Sequence, residues 1–238
     1  MTDAILELSN MRFAWPRSSE LCLDIEALRV AAGETVFLYG PSGCGKSTLL
    51  SLMAGVLLPQ HGRIVLGGRD WADMRAAQRD RYRVDQVGYI FQQFNLLPYL
   101  SVLDNVIAPC RFSQLRQSSA VRQSGSVRAA AELWLGGMGL ETRHWHAPAR
   151  ELSVGQQQRV AAARALIGNP ALVIADEPTS ALDENRRNDF LDLLLWACHA
   201  ANSALVFVSH DQRIAARFER QILLPAINHA AVAEEASR

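Results

Sequence analysis

Lysine is almost absent from this 238-residue sequence: 23 of its 24 basic side chains are arginine, and the only lysine is Lys46. Net charge is also absent, because 24 Asp and Glu balance the basic residues. The chain therefore lacks a broad basic field, which disfavours a nucleic-acid partner bound through bulk electrostatics. Arginine serves as the cation everywhere else, so Lys46 indicates a site that requires a compact ammonium rather than a planar guanidinium.

Long apolar runs and export signals are missing as well. No uninterrupted apolar stretch approaches the roughly 18 residues that span a bilayer, so we expect no membrane-crossing segment. Asp3 and Glu7 stand where a signal peptide would carry positive charge. The four cysteines are far apart and form no CxxC pair, which indicates neither a metal site nor a disulfide framework. A reducing cytoplasmic location is the simplest interpretation.

Short apolar segments that alternate with a helical pattern predict an α/β fold. Arg186–Ala201 has the apolar spacing of a helix packed on a sheet. Strands that alternate with helices form parallel sheets, and the polar residues at their carboxyl ends form the site. The predicted strands and the residues that follow them are 34–39 with Gly40, 171–175 with Asp176, and 204–209 with His210.

The remaining segments suggest one domain with an insertion. Residues 5–13 and 21–30 alternate apolar and polar side chains as antiparallel strands do. Residues 94–155 read as a mostly helical insertion, in which a helix over 129–140 fails at Gly136-Gly137. We therefore predict a single domain over 1–238, with an α/β core in 1–93 and 156–238.

A glycine-rich loop lies between the first predicted parallel strand and a helix. Its sequence fits G-x-x-x-x-G-K-[ST] in full, and the required strand and helix flank it. Backbone N–H groups of such a loop bind phosphates, Lys46 reaches the β and γ phosphates, and the Ser47 hydroxyl ligates Mg²⁺. The alternative is a glycine turn that only caps a helix. The loop consists of Gly40, Pro41, Ser42, Gly43, Cys44, Gly45, Lys46, Ser47 and Thr48, called the phosphate loop below.

Two adjacent carboxylates end the second predicted parallel strand. If strand geometry persists, Asp176 and Glu177 point in opposite directions and take separate roles. Asp176 suits Mg²⁺ coordination, and Glu177 suits orienting or deprotonating an attacking water. The alternative is a solvated strand end.

Residues Leu152–Arg159 (LSVGQQQR) resemble the LSGGQQQR signature of ATP-binding-cassette (ABC) ATPases. We call them the signature segment. Together with the phosphate loop, the acidic pair and three further motifs they follow the family's order over about Trp15–Asp211. The further motifs are Gln92 (Q-loop), Ser180–Asp183 (D-loop) and His210 (switch histidine). The resemblance implies a P-loop NTPase (RecA-like) core with an N-terminal antiparallel β subdomain and an inserted α-helical subdomain.

The resemblance also implies a shared active site. In the family, two protomers associate head to tail, and the signature segment of one contacts ATP held on the phosphate loop of the other. Here Ser153, Gly155, Gln156 and Asp183 match the positions that would contact it. Alternatively, Ser153 is only a helix N-cap, although a serine can serve in both roles.

Three further residues take roles that the resemblance implies. His210 matches the histidine that contacts the γ-phosphate and supports the water held by Glu177, although alone it reads as structural. Gln92 matches the residue that reaches Mg²⁺ and the water, with Gln93 as the other candidate. Trp15 matches the ring that stacks on adenine, provided that it is not simply a packing residue like Phe13.

The family's partners lead to the functional prediction. Residues 92–106 match the region that receives a cytoplasmic helix of the membrane permease, so we predict an ATP-hydrolysing transporter subunit that is peripheral on the cytoplasmic face of the membrane. The pattern looks most similar to macrolide-export, lipoprotein-release and cell-division systems. Residues 217–228 lack the family's usual glycine-turned hairpin, and 111–126 lack its usual sequence. A soluble ABC ATPase acting on DNA or ribosomes and a non-hydrolysing regulatory scaffold are the alternatives.

Overall fold

The computed structural model describes residues 4–18, 20–180 and 182–230. Residues 1–3, Ser19, Ala181 of the D-loop motif and residues 231–238 therefore lie outside the described residues. The strands are β1 (Ala4–Phe13), β2 (Leu23–Ala31), β3 (Thr35–Tyr39), β4 (His61–Leu66), β5 (Arg69–Asp70), β6 (Val87–Ile90), β7 (Leu172–Asp176), β8 (Ala204–Val208) and β9 (Arg220–Leu223).

The helices lie between these strands and after the last of them. The helical pattern expected over 129–140 ends at Gly137, at the glycine pair. The Ser-, Gln- and Arg-rich stretch that follows residue 111 is also helical. The helices are α1 (Lys46–Met53), α2 (Ala76–Gln86), α3 (Val102–Phe112), α4 (Gln114–Ser124), α5 (Val127–Gly137), α6 (Val154–Leu166), α7 (Glu184–Ala201) and α8 (Leu224–Ile227).

The amino-terminal strands form an antiparallel sheet in the order β2-β1-β4-β5. Along β1 the buried positions change parity, from Leu6 and Leu8 to Met11 and Phe13. The register with β4 shifts between Ser9 and Arg12, around Asn10, whose φ is +49°. One extra residue moves every later side chain to the other face, so this bulge keeps both apolar pairs in the core.

A second, parallel sheet has the order β6-β7-β8-β3-β9. Apart from Thr35, Tyr39 and Asp176 at strand ends, its three inner strands are apolar because both faces of the sheet are covered. In β3, Phe37 packs under the helices α3, α5, α6 and α7, whereas Val36 and Leu38 pack toward α1 and the antiparallel sheet. The parallel sheet therefore separates two apolar cores, and its carboxyl edge lies between them.

The insertion 94–155 contains α3, α4 and α5. The division of the chain at 93 and 156 stays a prediction, although α6 already begins at Val154. Of the helices in the described ranges, none combines the length and apolar character that crossing a bilayer demands.

Candidate functional site

The phosphate loop joins the end of β3 to the start of α1, as the motif predicts. Gly43 and Gly45 have φ values of +82° and +97°, in the left-handed region that favours glycine. Gly45 is the residue before α1, and a methyl group there would lie 2.9 Å from Leu23 Cδ2. Backbone conformation and lack of space therefore both require glycine at this position.

The only lysine folds back over its own loop. Lys46 Nζ donates hydrogen bonds to the carbonyl oxygens of Gly40 and Pro41, each at 2.9 Å. These two acceptors hold a point-like ammonium beside the loop, at the first turn of α1. The Ser47 side chain is exposed in the same turn.

The acidic pair departs from the predicted strand geometry. β7 ends at Asp176, and Glu177 has a φ of +45° with its N–H donated to the carbonyl oxygen of Val208 at 3.0 Å. Strand geometry therefore does not persist at Glu177, where the chain turns to bond with β8, and the alternation of strand side chains does not apply to this pair. Burial raises the pKa of Asp176; the nearby Glu177 raises it further, whereas Lys46 lowers it.

His210 follows β8 and approaches the acidic pair. Its Nδ1 lies 3.4 Å from Glu177 Oε2. Parallel strands bring their carboxyl ends to one edge, so Lys46, Asp176, Glu177 and His210 come together at the edge formed by β3, β7 and β8. This is the set of residues that the sequence predicts there.

The signature segment begins α6. Ser153 is the N-cap: its hydroxyl accepts the N–H of Gln156, and the Gln156 side chain accepts the N–H of Ser153 at 2.9 Å. The cap interpretation of Ser153 therefore holds, and it leaves a ligand role open. Gly155 is different, because a methyl group there would meet no atom within 4 Å. A glycine inside a helix costs about 1 kcal/mol relative to alanine, and nothing in the described residues requires it.

The signature segment and the phosphate loop are not joined within one copy. Among the described residues, no hydrogen bond or ion pair links 152–159 to 40–48. A link exists instead to the acidic pair, since the buried Gln158 donates to the carbonyl oxygen of Pro178 at 2.9 Å. Sequence reasoning missed this contact, because a glutamine on a polar helix face gives no signal of a long-range bond.

The D-loop motif caps the next helix. Asp183 Oδ1 accepts the N–H of Arg186 at 3.0 Å at the start of α7. One residue further on, the buried Arg187 Nη1 lies 2.6 Å from Asp211 Oδ2, directly after His210. The hydrogen bond from Arg213, and then the charge of Arg187, lower the pKa of Asp211 to about 2. The adjacent Arg186-Arg187 pair gave no indication that its second member is buried.

Gln92 and Gln93 are both exposed in the loop after β6. The next turn has positive φ at Phe94 and Asn95, whose carbonyl oxygens accept hydrogen bonds from Arg164 at 2.5 and 2.7 Å. Arg164 belongs to α6, so it ties the Gln92 loop to the signature helix. Sequence reasoning missed this residue too.

Apolar side chains are exposed beyond Gln92. Leu97 is 40% and Tyr99 70% exposed. The backbone of Leu97 is held by the fully buried Asn105, which accepts its N–H at 2.8 Å and donates to its carbonyl oxygen at 3.0 Å. Nearby, a groove of about 460 Å³ has Phe91 and Phe112 in its lining.

Trp15 lies just beyond β1, which ends at Phe13. The chain turns after Trp15, at Pro16 and Arg17, and the N–H of Ser18 bonds to the Trp15 carbonyl oxygen. The two rings still touch edge to face, with centroids 5.3 Å apart. Phe13 is buried, whereas Trp15 is 48% exposed.

Known proteins resemble this chain over most of its length. A family model described as ABC transporter matches residues 23–180. The lipoprotein-releasing system ATP-binding protein LolD of Legionella pneumophila (strain Paris) is 41% identical over 83% of this chain and 83% of LolD. The macrolide export ATP-binding/permease protein MacB of Hyphomonas neptunium is 36% identical over 99% of this chain and 37% of MacB. A solved dimeric, post-hydrolysis state of the ATP-binding cassette MJ0796 with ADP and Pi has a TM-score of 0.78 at 33% identity, over 92% of this chain and 93% of that one.

Proposed function

Because this chain belongs to the ABC transporter family, it is an ATP-hydrolysing subunit of a membrane transporter, and we propose which of its residues bind and split the nucleotide. It is of the lipoprotein-release and macrolide-export type, and it acts as a dimer with a permease partner. The observation that carries the proposal is the approach of His210 to Glu177 at the sheet edge that also holds Lys46.

The phosphate loop binds the triphosphate in this proposal. Backbone N–H groups and the amino end of α1 attract phosphate oxygens. The carbonyl oxygens of Gly40 and Pro41 hold the Lys46 ammonium beside the loop before nucleotide arrives. When nucleotide binds, the ammonium releases these oxygens and contacts the β and γ phosphates. Cys44 and Thr48 contribute backbone N–H groups within the same loop.

Glu177 and His210 act on the water that attacks the γ-phosphorus. The Glu177 carboxylate accepts a hydrogen bond from this water and so orients it. His210 steadies that carboxylate and donates to the γ-phosphate. As the water oxygen bonds to phosphorus, the water's proton passes to Glu177 and the bond from phosphorus to the bridging β-phosphate oxygen breaks, so that ADP and phosphate leave.

Ser47, Gln92 and Asp176 would hold Mg²⁺. Hydroxyl, amide and carboxylate oxygens are suitable ligands for this cation. Asp176 fits because burial and Glu177 raise its pKa more than Lys46 lowers it, and a bound cation would stabilise its charged form. Bound there, Mg²⁺ would offset negative charge on the phosphates.

Trp15 would stack its exposed face on adenine.

The dimer is proposed to be head to tail. Ser153, Gly155, Gln156 and Asp183 then face the nucleotide of the opposite copy. The open space at Gly155 supports this arrangement, since it leaves room for a nucleotide of the opposite copy to approach the helix backbone.

Mixing two inactive variants tests this arrangement. Lys46→Ala damages the phosphate loop, and Gly155→Asp blocks the signature segment. In a head-to-tail heterodimer one of the two sites has both parts intact, so mixing should restore ATPase activity. A mixture as inactive as its components would contradict the shared site.

We also propose that the permease docks beside residues 92–106, with the chain peripheral on the cytoplasmic side of the membrane. The exposed Leu97 and Tyr99 and the adjacent groove support this surface. Leu97→Asp and Tyr99→Ala should lower permease binding and permease-stimulated ATPase activity while the basal rate remains. Leu133→Asp, at a leucine of α5 that is 68% exposed and lies outside this surface, is the control. Unchanged assembly of the first two variants would refute the docking surface.

A further inference from the structure

The segment after β8 follows an unusual course beside the phosphate loop. β9 pairs in parallel with β3, with Leu223 opposite Tyr39, the last strand residue before the loop. The chain then enters α8 directly at the buried Leu224. This is the region where the sequence lacks the family's usual hairpin.

Pro225 lies against the first glycine of the loop. A methyl group at Gly40 would be 3.0 Å from Pro225 Cδ and 2.8 Å from Cys44 Sγ. The proline ring and Cys44 therefore confine Gly40 from two sides. Because proline fixes its own φ, the ring is a rigid support.

Asn228 connects the same segment to the start of β2. Its side chain is 7% exposed, accepts the N–H of Asp24 at 2.8 Å and donates to the carbonyl oxygen of Cys22 at 3.1 Å. The next residue adds a backbone bond, from the His229 N–H to the Asp24 carbonyl oxygen at 2.8 Å. Buried amides with satisfied partners hold a backbone in one position.

The segment that Asn228 holds, residues 22–24, also packs on the other end of the loop. Leu23 Cδ2 and the Cys22 carbonyl oxygen lie 2.9 and 3.5 Å from where a methyl group at Gly45 would be. Cys22 Sγ also donates to the Thr48 hydroxyl at 3.7 Å. The segment 224–229 thus contacts Gly40 directly and supports Gly45 through Cys22 and Leu23.

We propose that Asn228 and Pro225 are positioning residues that hold the phosphate loop in its nucleotide-binding shape. The inference rests on the proposed assignment of residues 40–48 as that loop. A loop that is ordered in advance costs less entropy when phosphate binds, so the support acts on nucleotide affinity. This support does not involve Glu177 or His210, which act on the water. Its loss should therefore change KM rather than kcat.

Asn228→Ala in the full chain tests the proposal by steady-state ATPase kinetics and by fluorescent ATP-analogue titration. We expect KM and the analogue's Kd to rise by about fivefold, the scale of one net hydrogen bond, with kcat retained. Tyr82→Phe is the control, because it removes a hydroxyl that donates to the Leu66 carbonyl oxygen at 2.9 Å in the same half of the molecule. A loss of thermal stability in both variants with KM unchanged in both would overturn the proposal.

Pro225→Ala gives a second test should Asn228→Ala fail to fold. It removes the ring from Gly40 and keeps the Asn228 bonds, so KM should still rise with kcat retained; an unchanged KM overturns the inference. Lys46→Ala distinguishes a wrong assignment of the phosphate loop from a wrong positioning role for Asn228 and Pro225. If it retains nucleotide binding, the loop assignment itself is wrong. If it loses binding while Asn228→Ala and Pro225→Ala match wild type, only the positioning role fails.

Discussion

The Nδ1 atom of His210 lies 3.4 Å from Oε2 of Glu177, and the two side chains are 68% and 23% exposed. The histidine therefore stands on the solvent side of a carboxylate that is itself largely covered. In the site proposed above, a γ-phosphate entering from solvent would meet the His210 imidazole first, and the attacking water would meet the Glu177 carboxylate.

Glu177→Gln should abolish turnover and keep ATP binding. The amide has the same shape but cannot take up a proton, so we expect kcat to fall by at least about a hundredfold, the usual scale of general-base catalysis. Gel filtration with ATP should show a persistent dimer, because nucleotide is no longer consumed. Wild-type turnover in this variant would remove Glu177 from the mechanism.

Lys46→Arg should be almost as damaging as Lys46→Ala, although it preserves the charge. The planar guanidinium cannot converge on the Gly40 and Pro41 carbonyl oxygens as the ammonium does, and it is too large for the same position. ATP-analogue binding and ATPase rate are the measurements. An active arginine variant would show that charge alone is sufficient.

Asp176→Asn should stabilise the nucleotide-free protein while it impairs hydrolysis. The pKa of Asp176 is higher in the folded protein than in the unfolded chain. At pH values between the two, the folded protein therefore binds more protons than the unfolded chain, and the free energy of unfolding decreases as pH rises. Removal of the carboxylate ends that penalty, and we expect a gain of about 1 kcal/mol in the free energy of unfolding at neutral pH, typical of substitutions at functional sites. Denaturant titration without nucleotide measures it, and a loss of stability would contradict this account.

Arg213→Ala should make the protein more sensitive to acid. The pKa of Asp211 is lowered to about 2, so its stabilising effect is present above the unfolded value near 4 and is lost as pH falls toward 2. Without Arg213 the carboxyl protonates at higher pH, and the acid-unfolding midpoint followed by circular dichroism should move upward. Arg143→Ala, in an exposed pair with Glu141, should leave the midpoint in place.

Trp15→Ala should raise KM for ATP, whereas Trp15→Phe should largely preserve it. A base stacked on an aromatic ring gains about 1–3 kcal/mol, and phenylalanine retains a ring face. Trp196→Ala is the control, since Trp196 is similarly exposed on α7. Equal KM values in Trp15→Ala and wild type would mean that adenine lies elsewhere.

The predicted elements that hold the site were correct to within one or two residues because their signals are local. The glycine loop dictates its own turn, and β7 and β8 are continuous apolar runs. β6 was not predicted, because Gly88 weakens its strand pattern. The structure explains that glycine: a methyl group there would lie 2.3 Å from the Ala165 carbonyl oxygen, so α6 passes too close for any side chain.

Polar residues that become buried were the least predictable part. Arg116 stands in a Ser-, Gln- and Arg-rich stretch that reads as solvated, yet it is 2% exposed. It donates to carbonyl oxygens of Val87, Ala165 and Ile167, and burial lowers its pKa to about 10. Because these partners are distant in sequence, no periodic pattern indicates the contact. The ion pair between Arg187 and Asp211 was not predicted for the same reason.

The bond from Gln158 to Pro178 has a mechanical consequence. It joins α6, the helix that we propose contacts the partner copy's nucleotide, to the turn that follows Asp176 and Glu177 of the same copy. In the head-to-tail dimer proposed above, movement of the turn at one catalytic site would pull on α6 through the Gln158 amide. The nucleotide site on the opposite copy would move with it, so hydrolysis at the two sites would be coordinated.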